Sequence, residues 1–389
     1  MKTRIINARI ILGDEIMTGK TVFYENGLIT DVTAEMRPFD VSIDAKGRYL
    51  SPGFIDLHTH GGGDADFLDG TAEAFLTAAS LHACYGTTTL YPTATSGEMA
   101  ETLSMVQAYE QARSLNVSGA DMPGLHLEGP YFAMGQRGAQ DPRYLRNPDP
   151  AEYMPLLDAC PQIKRWSVAP ELPGALEMGR ELKKRGILAS VAHSDAEYDQ
   201  VEKAWHAGYT HVTHLYSGMS SVHRRNAYRY AGVVEAAYLI DGMTVEIIAD
   251  GCHLPAELLR LVYKIKGPDR TALVTDSMRG AGMPDGISML GNRLHGLKTI
   301  IEDGVAKLPD RTSFAGSVAT ADRLVRNMVQ LAGVPLTDTV KMASCTPARI
   351  MGLKDRGGIV KGLRADFVLF DDQIHVSRTI VNGLDAYVE

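Results

Sequence analysis

The sequence has little that suits an extracellular, membrane-embedded or nucleic-acid-binding protein. Its 389 residues include only four cysteines, which are scattered and form no Cys-x-x-Cys pair. This pattern argues against a disulfide framework or a zinc finger and is typical of a reducing compartment. No apolar run of about 20 residues is present, so we expect no membrane span. The net charge of −8, without Lys/Arg runs, argues against nucleic-acid and anionic-membrane partners. We therefore expect a globular protein of the cytoplasm.

Three motifs of common enzyme classes are also absent. There is no Gly-x-Ser-x-Gly elbow, which argues against a serine hydrolase. There is no Walker A motif, which argues against nucleotide hydrolysis by a P-loop. No Gly-x-Gly-x-x-Gly follows the early apolar runs, which argues against a dinucleotide-binding fold.

Both ends of the chain have the pattern of β-structure. Asn26-Gly27 separates two apolar runs, and Asn382-Gly383 follows another, and this dipeptide is a strong signal for a tight hairpin. Residues 4–12 form an Ile-rich run with the same β pattern. Neither end has enough strands for a stable sheet by itself. The two ends, residues 1–51 and 360–389, are therefore predicted to form one small β-sandwich beside a central domain of residues 52–359.

The central region alternates short apolar runs with helical stretches. Eight strands separated by helices over about 300 residues predict an α/β fold, a (β/α)8 barrel. An open, doubly wound sheet is the alternative. The predicted strands span residues 54–58, 87–91, 124–128, 165–168, 187–192, 211–213, 244–249 and 271–275. The predicted helices span residues 72–85, 99–114, 175–184, 198–207 and 255–266.

Side chains that bind metals recur where these strands end. In a barrel the carboxyl ends of all strands open onto one face, so these side chains should converge there. Imidazoles with carboxylates form a ligand set suited to Zn²⁺, Fe²⁺ or a similar divalent ion, and one carboxylate can bridge two ions. The residues are His58, His60, Glu128, His193, His214 and Asp276.

Each of these residues has an ordinary explanation when taken alone. A single histidine at a strand end is more often hydrogen-bonded structure than a ligand, and an Asp after Val-Thr is more often a helix cap. Independent accidents would not place the whole set on successive strand ends of one barrel. Other histidines lack this context and are not expected to bind metal: His82, His206, His223, His295 and His375.

Several segments resemble one enzyme family along nearly the whole chain. The opening Pro52-Gly53-Phe54-Ile55-Asp56-Leu57-His58-Thr59-His60 resembles the amidohydrolase superfamily. Other segments resemble, more narrowly, the N-acetylglucosamine-6-phosphate deacetylases. They are His126-Leu127-Glu128-Gly129-Pro130, Thr213-His214-Leu215-Tyr216, Ile248-Ala249-Asp250-Gly251-Cys252-His253, Val274-Thr275-Asp276, Phe314-Ala315-Gly316-Ser317 and Cys345-Thr346-Pro347-Ala348. The resemblance implies an amidohydrolase-type TIM barrel with a β-sandwich from both ends, a homodimer, and one or two divalent metal ions.

The resemblance also implies a role for each residue of the set. Glu128, His193 and His214 would bind the principal metal, with Zn²⁺ favoured and Fe²⁺ or Mn²⁺ as alternatives. His58 and His60 would bind a second ion that Glu128 bridges. Two catalytic residues are implied: Asp276 as the acid and base, and His253 to polarise the scissile carbonyl. The implied reaction is hydrolysis of N-acetyl-D-glucosamine 6-phosphate to D-glucosamine 6-phosphate and acetate.

Substrate contacts are the part in which this sequence departs from the family pattern. Gln140 replaces a histidine that contacts the sugar, and the loop around residues 228–230 is longer. The family's phosphate-binding Arg, which reaches the neighbouring subunit, corresponds to Arg225. A related N-acetylated amino sugar, another amide hydrolase of the superfamily, and a non-catalytic scaffold therefore stay open. The predicted contacts are Ala139, Gln140, Ser217, Gly218, Arg225, His253, Phe314, Ala315 and Gly316.

Overall fold

The computed structural model describes residues 1–389, which form 26 strands, ten α-helices and two short 3₁₀-helices. The strands are β1 (Lys2–Ile6), β2 (Arg9–Leu12), β3 (Glu15–Met17), β4 (Thr21–Glu25), β5 (Leu28–Thr33), β6 (Val41–Asp44), β7 (Tyr49–Pro52), β8 (Phe54–Thr59), β9 (Gly61–Gly62), β10 (Ala65–Asp66), β11 (Thr87–Ala94), β12 (Leu125–Glu128), β13 (Ile163–Val168), β14 (Leu188–Val191), β15 (Tyr209–Val212), β16 (His223–Arg225), β17 (Tyr228–Tyr230), β18 (Thr244–Ile247), β19 (Thr271–Leu273), β20 (Gly286–Leu290), β21 (Leu297–Glu302), β22 (Val305–Lys307), β23 (Phe314–Ser317), β24 (Phe367–Phe370), β25 (Val376–Val381) and β26 (Leu384–Val388). The α-helices are α1 (Ala72–Cys84), α2 (Met99–Leu115), α3 (Pro150–Ala159), α4 (Ala175–Lys184), α5 (Tyr198–Ala207), α6 (Val233–Leu239), α7 (Ala256–Lys266), α8 (Ala321–Gln330), α9 (Leu336–Ala343) and α10 (Cys345–Ile350).

Eight parallel strands form the central sheet, in the order β8-β11-β12-β13-β14-β15-β18-β19. Every residue of β8 and β11 is buried, since helices cover a barrel sheet outside and side chains fill it inside. The predicted α/β barrel is confirmed, and its predicted strands and helices match the observed ones within three residues at either end. None of the helices has both the length and the apolar character needed to cross a membrane.

The first and last barrel strands, β8 and β19, are joined mainly by side chains and by the residues after β19. The Asp56 carboxylate accepts hydrogen bonds from the Thr275 hydroxyl at 2.5 Å and from the Thr275 backbone N–H at 3.2 Å. The Asp276 backbone N–H donates to the His58 carbonyl at 2.9 Å. This seam therefore brings Asp276, from the end of the barrel, directly beside His58, from its beginning.

The two ends of the chain form two further sheets. One has the order β5-β4-β1-β6, and the other β26-β25-β24-β7-β2-β3. A shared apolar core lies between them, with Ile5, Leu50 and Phe367 among its buried members. The strands of these two sheets lie within residues 2–52 and 367–388, and the division of the chain at residues 51/52 and 359/360 stays a prediction.

Local backbone conformation explains the turns of these terminal sheets. Asn26 and Asn382 have φ of 51°, and each precedes a glycine with positive φ, as a hairpin between right-twisted strands requires. The Ile-rich run of residues 4–12 forms parts of two strands, β1 and β2. Asn7, with φ of 57°, turns the chain there, so β1 and β2 belong to different sheets.

A four-stranded antiparallel sheet, β20-β21-β22-β23, lies between β19 and α8 in the sequence and was not predicted. We call it the mouth sheet, because it supplies Leu290 and Phe314 to the cleft at the barrel mouth. Its hairpin tip is fixed to the loop after β8 by a bond from the Gly291 N–H to the Asp66 carboxylate at 3.0 Å. The buried Arg279 bonds both Asp69 and the Gly291 carbonyl.

Candidate metal centre and its cleft

The histidines and carboxylates at the strand ends converge at the mouth of the barrel. Two groups of side chains have ligand atoms close enough to hold an ion: His58, His60 and Glu128 form one, and Glu128, His193 and His214 form the other. All five side chains are buried. Glu128 belongs to both groups, which is the arrangement needed for a carboxylate that bridges two ions.

The two oxygens of Glu128 face different histidines. Its Oε1 lies 3.2 Å from His193 Nε2 and 2.9 Å from His214 Nε2. Its Oε2 lies 3.4 Å from His60 Nε2 and 3.7 Å from His58 Nε2. Each oxygen is therefore shared with one histidine pair.

Hydrogen bonds behind the histidines show that a cation fits between them. The Nδ1 of His60 lies 3.1 Å from the Thr93 carbonyl, and that of His193 lies 2.8 Å from the Gln136 carbonyl. A carbonyl only accepts, so each Nδ1 carries a proton and Nε2 is the ring nitrogen left to face an ion. Metal-binding histidines are commonly oriented in this way.

His58 completes this pattern. Its Nδ1 lies 2.9 Å from the Glu246 carboxylate, so its Nε2 also offers a lone pair, only 3.2 Å from the Nε2 of His60. Two lone pairs at this distance repel each other unless a proton or a cation lies between them. The donor set of nitrogen and carboxylate oxygen suits a divalent transition metal.

Charges within the cluster reinforce this conclusion. Burial alone would lower the pKa of His58, but Glu128 and Asp276 raise it to about 9. Burial alone would raise the pKa of Glu128, but His58, His193 and His214 hold it well below its usual value. The site therefore favours positive charge among ionised carboxylates, and a divalent ion competes with protons for the same atoms.

Asp276 lies beside the cluster and faces the cleft. Its Oδ1 is 3.1 Å from His60 Nε2 and 3.4 Å from His58 Nε2. Asp276, His193 and His214 have φ values of 46°, 45° and 27°. Non-glycine residues rarely adopt this left-handed region, and such strain concentrates at functional sites. Gly316 lies against this turn, since a Cβ at that position would lie 2.9 Å from the Asp276 carbonyl.

A cleft of about 850 Å³ opens above the cluster. Most of the predicted substrate contacts line it, and two do not. Ala315 is buried beneath its surface. Arg225 lies on the exposed β16–β17 hairpin, 2.7 Å from the Glu197 carboxylate and over the Tyr230 ring. The predicted residues in the lining are His60, Glu128, Ala139, Gln140, His193, His214, Ser217, Gly218, His253, Asp276, Phe314 and Gly316.

Gln140 and His253 have definite partners in the cleft wall. The Gln140 amide donates to Glu128 Oε2 at 2.8 Å, and its carbonyl accepts from the Ser96 N–H at 2.9 Å. The amide thus orients the Glu128 carboxylate. His253 is bound through Nδ1 to the Asp250 carboxylate at 2.8 Å, and its ring packs 4.7 Å from that of Phe314.

Sequence reasoning missed several residues of the site. Thr95, Leu290 and Ser313 line the cleft, but they lie on loops or on the unpredicted mouth sheet. Arg165 and Glu246 lie fully buried under the ligands. A signal for these two was present, because each is a charged residue inside an otherwise apolar predicted barrel strand.

Comparisons with known proteins agree with this geometry. The model of the "Amidohydrolase family" matches residues 49–387. An N-acetylglucosamine-6-phosphate deacetylase from Lysinibacillus sphaericus is 32% identical, over 93% of this chain and 92% of its own. An N-acetylgalactosamine-6-phosphate deacetylase from Escherichia coli O157:H7 is also 32% identical, over 98% of both chains.

A solved structure supports the same assignment across the whole chain. It is a mutant N-acetyl-D-glucosamine-6-phosphate deacetylase from Mycobacterium smegmatis in complex with N-acetyl-D-glucosamine-6-phosphate. It superposes with a TM-score of 0.90 at 31% identity, over 100% of this chain and 99% of that one. From its fold, its site and these relatives, the chain belongs to the amidohydrolase family.

Proposed function

We propose that this protein hydrolyses the acetamide of N-acetyl-D-glucosamine 6-phosphate to D-glucosamine 6-phosphate and acetate. The observation that carries the proposal is the convergence of two histidine pairs on the two oxygens of Glu128, with Asp276 beside them at the floor of the cleft. The names of the full-length relatives supply the substrate class. A cytoplasmic location belongs to the same proposal.

Five side chains would hold the metal. Glu128, His193 and His214 would bind the principal ion, and His58 and His60 would bind a second one across Glu128. A bound divalent ion lowers the pKa of a water ligand to about 7 and polarises a carbonyl. We propose Zn²⁺, with Fe²⁺ or Mn²⁺ as alternatives that suit the same ligands.

Asp276 performs the proton transfers of this reaction. Its carboxylate takes a proton from the attacking water while the water oxygen bonds to the acetyl carbon. It then gives that proton to the sugar nitrogen as the C–N bond breaks, which releases acetate and the free amine. Its place beside His58 and His60 keeps it within reach of the reacting atoms.

His253 orients the substrate from the opposite wall. Its bond to Asp250 fixes the ring, and the Phe314 ring packs against it. To polarise the acetyl carbonyl oxygen, His253 must carry a proton on Nε2 while Nδ1 donates to Asp250.

A phosphate on the substrate requires hydrogen-bond donors and positive charge, and the cleft of one chain supplies only some of these groups. Ser217 and Gly218 line the cleft, and their backbone N–H groups suit a phosphate. Arg225 lies outside this chain's own cleft. We therefore propose a homodimer, in which the exposed β16–β17 hairpin of one subunit brings Arg225 to the cleft of the other.

N-acetyl-D-galactosamine 6-phosphate is the second candidate substrate. The Escherichia coli relative named for that substrate is as similar to this chain as the first glucosamine-specific relative is. The two sugars differ in the configuration of one hydroxyl. We predict that Gln140 contacts the sugar. Its amide already donates to Glu128, so only the hydrogen-bonding capacity left by that bond is available to distinguish the two configurations of the hydroxyl.

The test is a deacetylation assay with metal content measured on the same sample. Four substrates are compared: the two N-acetylhexosamine 6-phosphates and the two free N-acetylhexosamines. We expect the highest kcat/KM for N-acetyl-D-glucosamine 6-phosphate and at least one equivalent of divalent metal per chain. A preference for the free sugars would contradict the phosphate assignment. A metal-free sample that takes up none on titration would contradict the whole mechanism and favour a scaffold.

A further inference from the structure

A charged pair without an assigned role lies inside the barrel, directly beneath the proposed metal ligands. Arg165 on β13 and Glu246 on β18 are 2.6 Å apart, and both are completely buried. Neither residue reaches the cleft. Burying two charges is costly, and apolar replacements of such pairs are often neutral or stabilising. Stability alone therefore does not account for this pair.

Glu246 contacts one ligand of each proposed metal group through the same oxygen. Its Oε1 accepts from His58 Nδ1 at 2.9 Å and from the His214 backbone N–H at 3.2 Å. Both of these partners must donate. The Nδ1 proton of His58 leaves the Nε2 lone pair free for an ion, and the bond to the His214 backbone fixes the start of the turn that carries that ring.

Arg165 holds the other side of Glu246. Its Nη1 donates to Glu246 Oε2 at 2.6 Å and to the Leu57 carbonyl at 3.2 Å, and its Nη2 donates to the Thr213 hydroxyl at 2.8 Å. Leu57 and Thr213 immediately precede His58 and His214. Arginine thus fixes which face of the carboxylate is left for the ligands.

We propose that Arg165 and Glu246 act as a positioning pair that keeps His58 in its Nδ1-protonated form, so that its Nε2 can bind metal. The pair touches no substrate and acts only through His58 and His214. The inference rests on the proposed metal site, and it assigns to two further residues the task of keeping that site competent.

The geometry gives a specific consequence for Glu246→Gln. A carboxamide has one accepting side and one donating side. Arg165 and the His214 N–H can both only donate, so either orientation of the amide leaves one donor facing another. We expect the amide oxygen to face the charged guanidinium, which forms the stronger bond, and the NH₂ group then faces His58. His58 must accept that bond at Nδ1 and move its proton to Nε2, where the proton blocks the metal.

The same reasoning predicts a rescue. In Arg165→Met/Glu246→Gln the guanidinium that required an acceptor is gone. The amide oxygen can therefore turn back to accept from His58 Nδ1 and from the His214 N–H. His211, which lies 3.2 Å from Glu246 Oε2, can adapt because its other nitrogen faces the Thr244 hydroxyl, which both donates and accepts. Metal binding should recover although two polar groups have been changed.

The experiment measures metal retention in the full-length, Zn²⁺-loaded protein against increasing chelator. Glu246→Gln should lose the ion held by His58 and His60 at a chelator concentration about 10–100-fold lower than wild type, the usual range for groups that orient a ligand. Arg165→Met/Glu246→Gln should recover at least part of that loss. Asp366→Asn is the matched control, because Asp366 is a buried carboxylate paired with Arg364 in a terminal sheet. It should retain metal as wild type does.

A second readout reports on the tautomer directly. The ¹⁵N shifts of His58, identified by comparison with His58→Gln, should show a proton on Nδ1 and none on Nε2 in Zn²⁺-loaded wild type, and a proton on Nε2 in Glu246→Gln. If Glu246→Gln does not fold, Arg165→Met/Glu246→Met carries the test. That variant has no charge to bury, and it should fold but lose the ion held by His58 and His60, because His58 Nδ1 has no acceptor.

The outcomes separate this inference from the proposed function. Wild-type metal retention in Glu246→Gln, or a rescue variant that binds no better than Glu246→Gln, would overturn the positioning pair alone. A wild-type protein that binds no metal would overturn the proposed function instead.

Discussion

At the scale of single residues, the proposed chemistry depends on three carboxylates with different surroundings. Glu128 faces two histidine pairs, Glu246 is buried beneath the ligands, and Asp276 lies at the floor of the cleft. The first is suited to bind metal, the second to orient a ligand and the third to move protons. Environment therefore assigns different roles to groups of the same kind.

Asp276→Asn tests the proton transfer. Asparagine keeps the size of the side chain but cannot accept and return a proton, so we expect kcat to fall by at least about 100-fold. Metal content should stay close to that of wild type, because Glu128, His193 and His214 remain. Steady-state kinetics and metal analysis on one preparation check both statements, and a variant with near-normal turnover would show that another group moves the proton.

Glu128→Ala tests the bridging ligand. Because one oxygen of Glu128 faces each histidine pair, its loss should remove metal and activity together. His58→Ala removes a ligand from only one group, so metal content should fall by no more than one equivalent and activity should fall less. Metal analysis beside kinetics distinguishes the two variants. A His58→Ala enzyme as inactive as Glu128→Ala would instead indicate that both ions are required.

At the scale of elements, loops and inserted segments shape the cleft around a regular barrel. The mouth sheet supplies Leu290 and Phe314, and its tip is fixed by Asp66 and Arg279 to the loop that follows β8. A buried side chain also connects α7 to α6 by hydrogen bonds. Lys266 is buried, and its ammonium donates to the Ala237 and Ile240 carbonyls at the end of α6, at 2.8 and 3.2 Å.

The buried Lys266 gives a prediction for the pH dependence of stability. Burial lowers its pKa from 10.5 to about 8 in the folded protein. Between these values the unfolded chain binds more protons at this site, so the free energy of unfolding should rise with pH. Relative to Lys266→Met, wild type should gain about 1–2 kcal/mol from pH 8 to pH 10.5, which is less than the full pKa difference would give because solvent screens part of this charge. Denaturant unfolding of both proteins across this range measures the difference; a constant difference would contradict the depressed pKa.

At the scale of the whole molecule, ion pairs join the barrel to the segment of chain that leads back to the terminal sheets. Arg356, almost fully buried, pairs with Asp121 at 2.7 Å, and Arg364 pairs with the same carboxylate at 2.8 Å. Both arginines precede β24, and Asp121 precedes β12. The segment that precedes the final strands is therefore fixed to the barrel by these ion pairs.

Arg225→Ala tests the proposed dimer contact. If Arg225 of one subunit meets the phosphate in the other, its loss should raise KM for the phosphorylated sugar by about 10–100-fold, the range for hydrogen bonds to charged groups. KM for the free sugar should change little. Arg229→Ala, on the same exposed hairpin, is the matched control and should behave as wild type. Equal effects of Arg225→Ala on both sugars would contradict a phosphate contact.

The sequence by itself determined the local structure and the ligand set. Strands, helices and Asn-Gly hairpins follow from periodicity and turn chemistry, which act over a few residues. The barrel follows from their alternation, and it fixes the face on which strand-end residues such as Glu128 and Asp276 meet.

Only the tertiary structure decided which distant residues touch. The amide of Gln140 meets Glu128, Arg165 meets Glu246 beneath His58, and Arg225 pairs with Glu197 outside its own cleft. The mouth sheet was missed because its strands are short and partly exposed, so their pattern is weak. Such contacts join segments far apart in the chain, and they depend on packing geometry that no short-range pattern encodes.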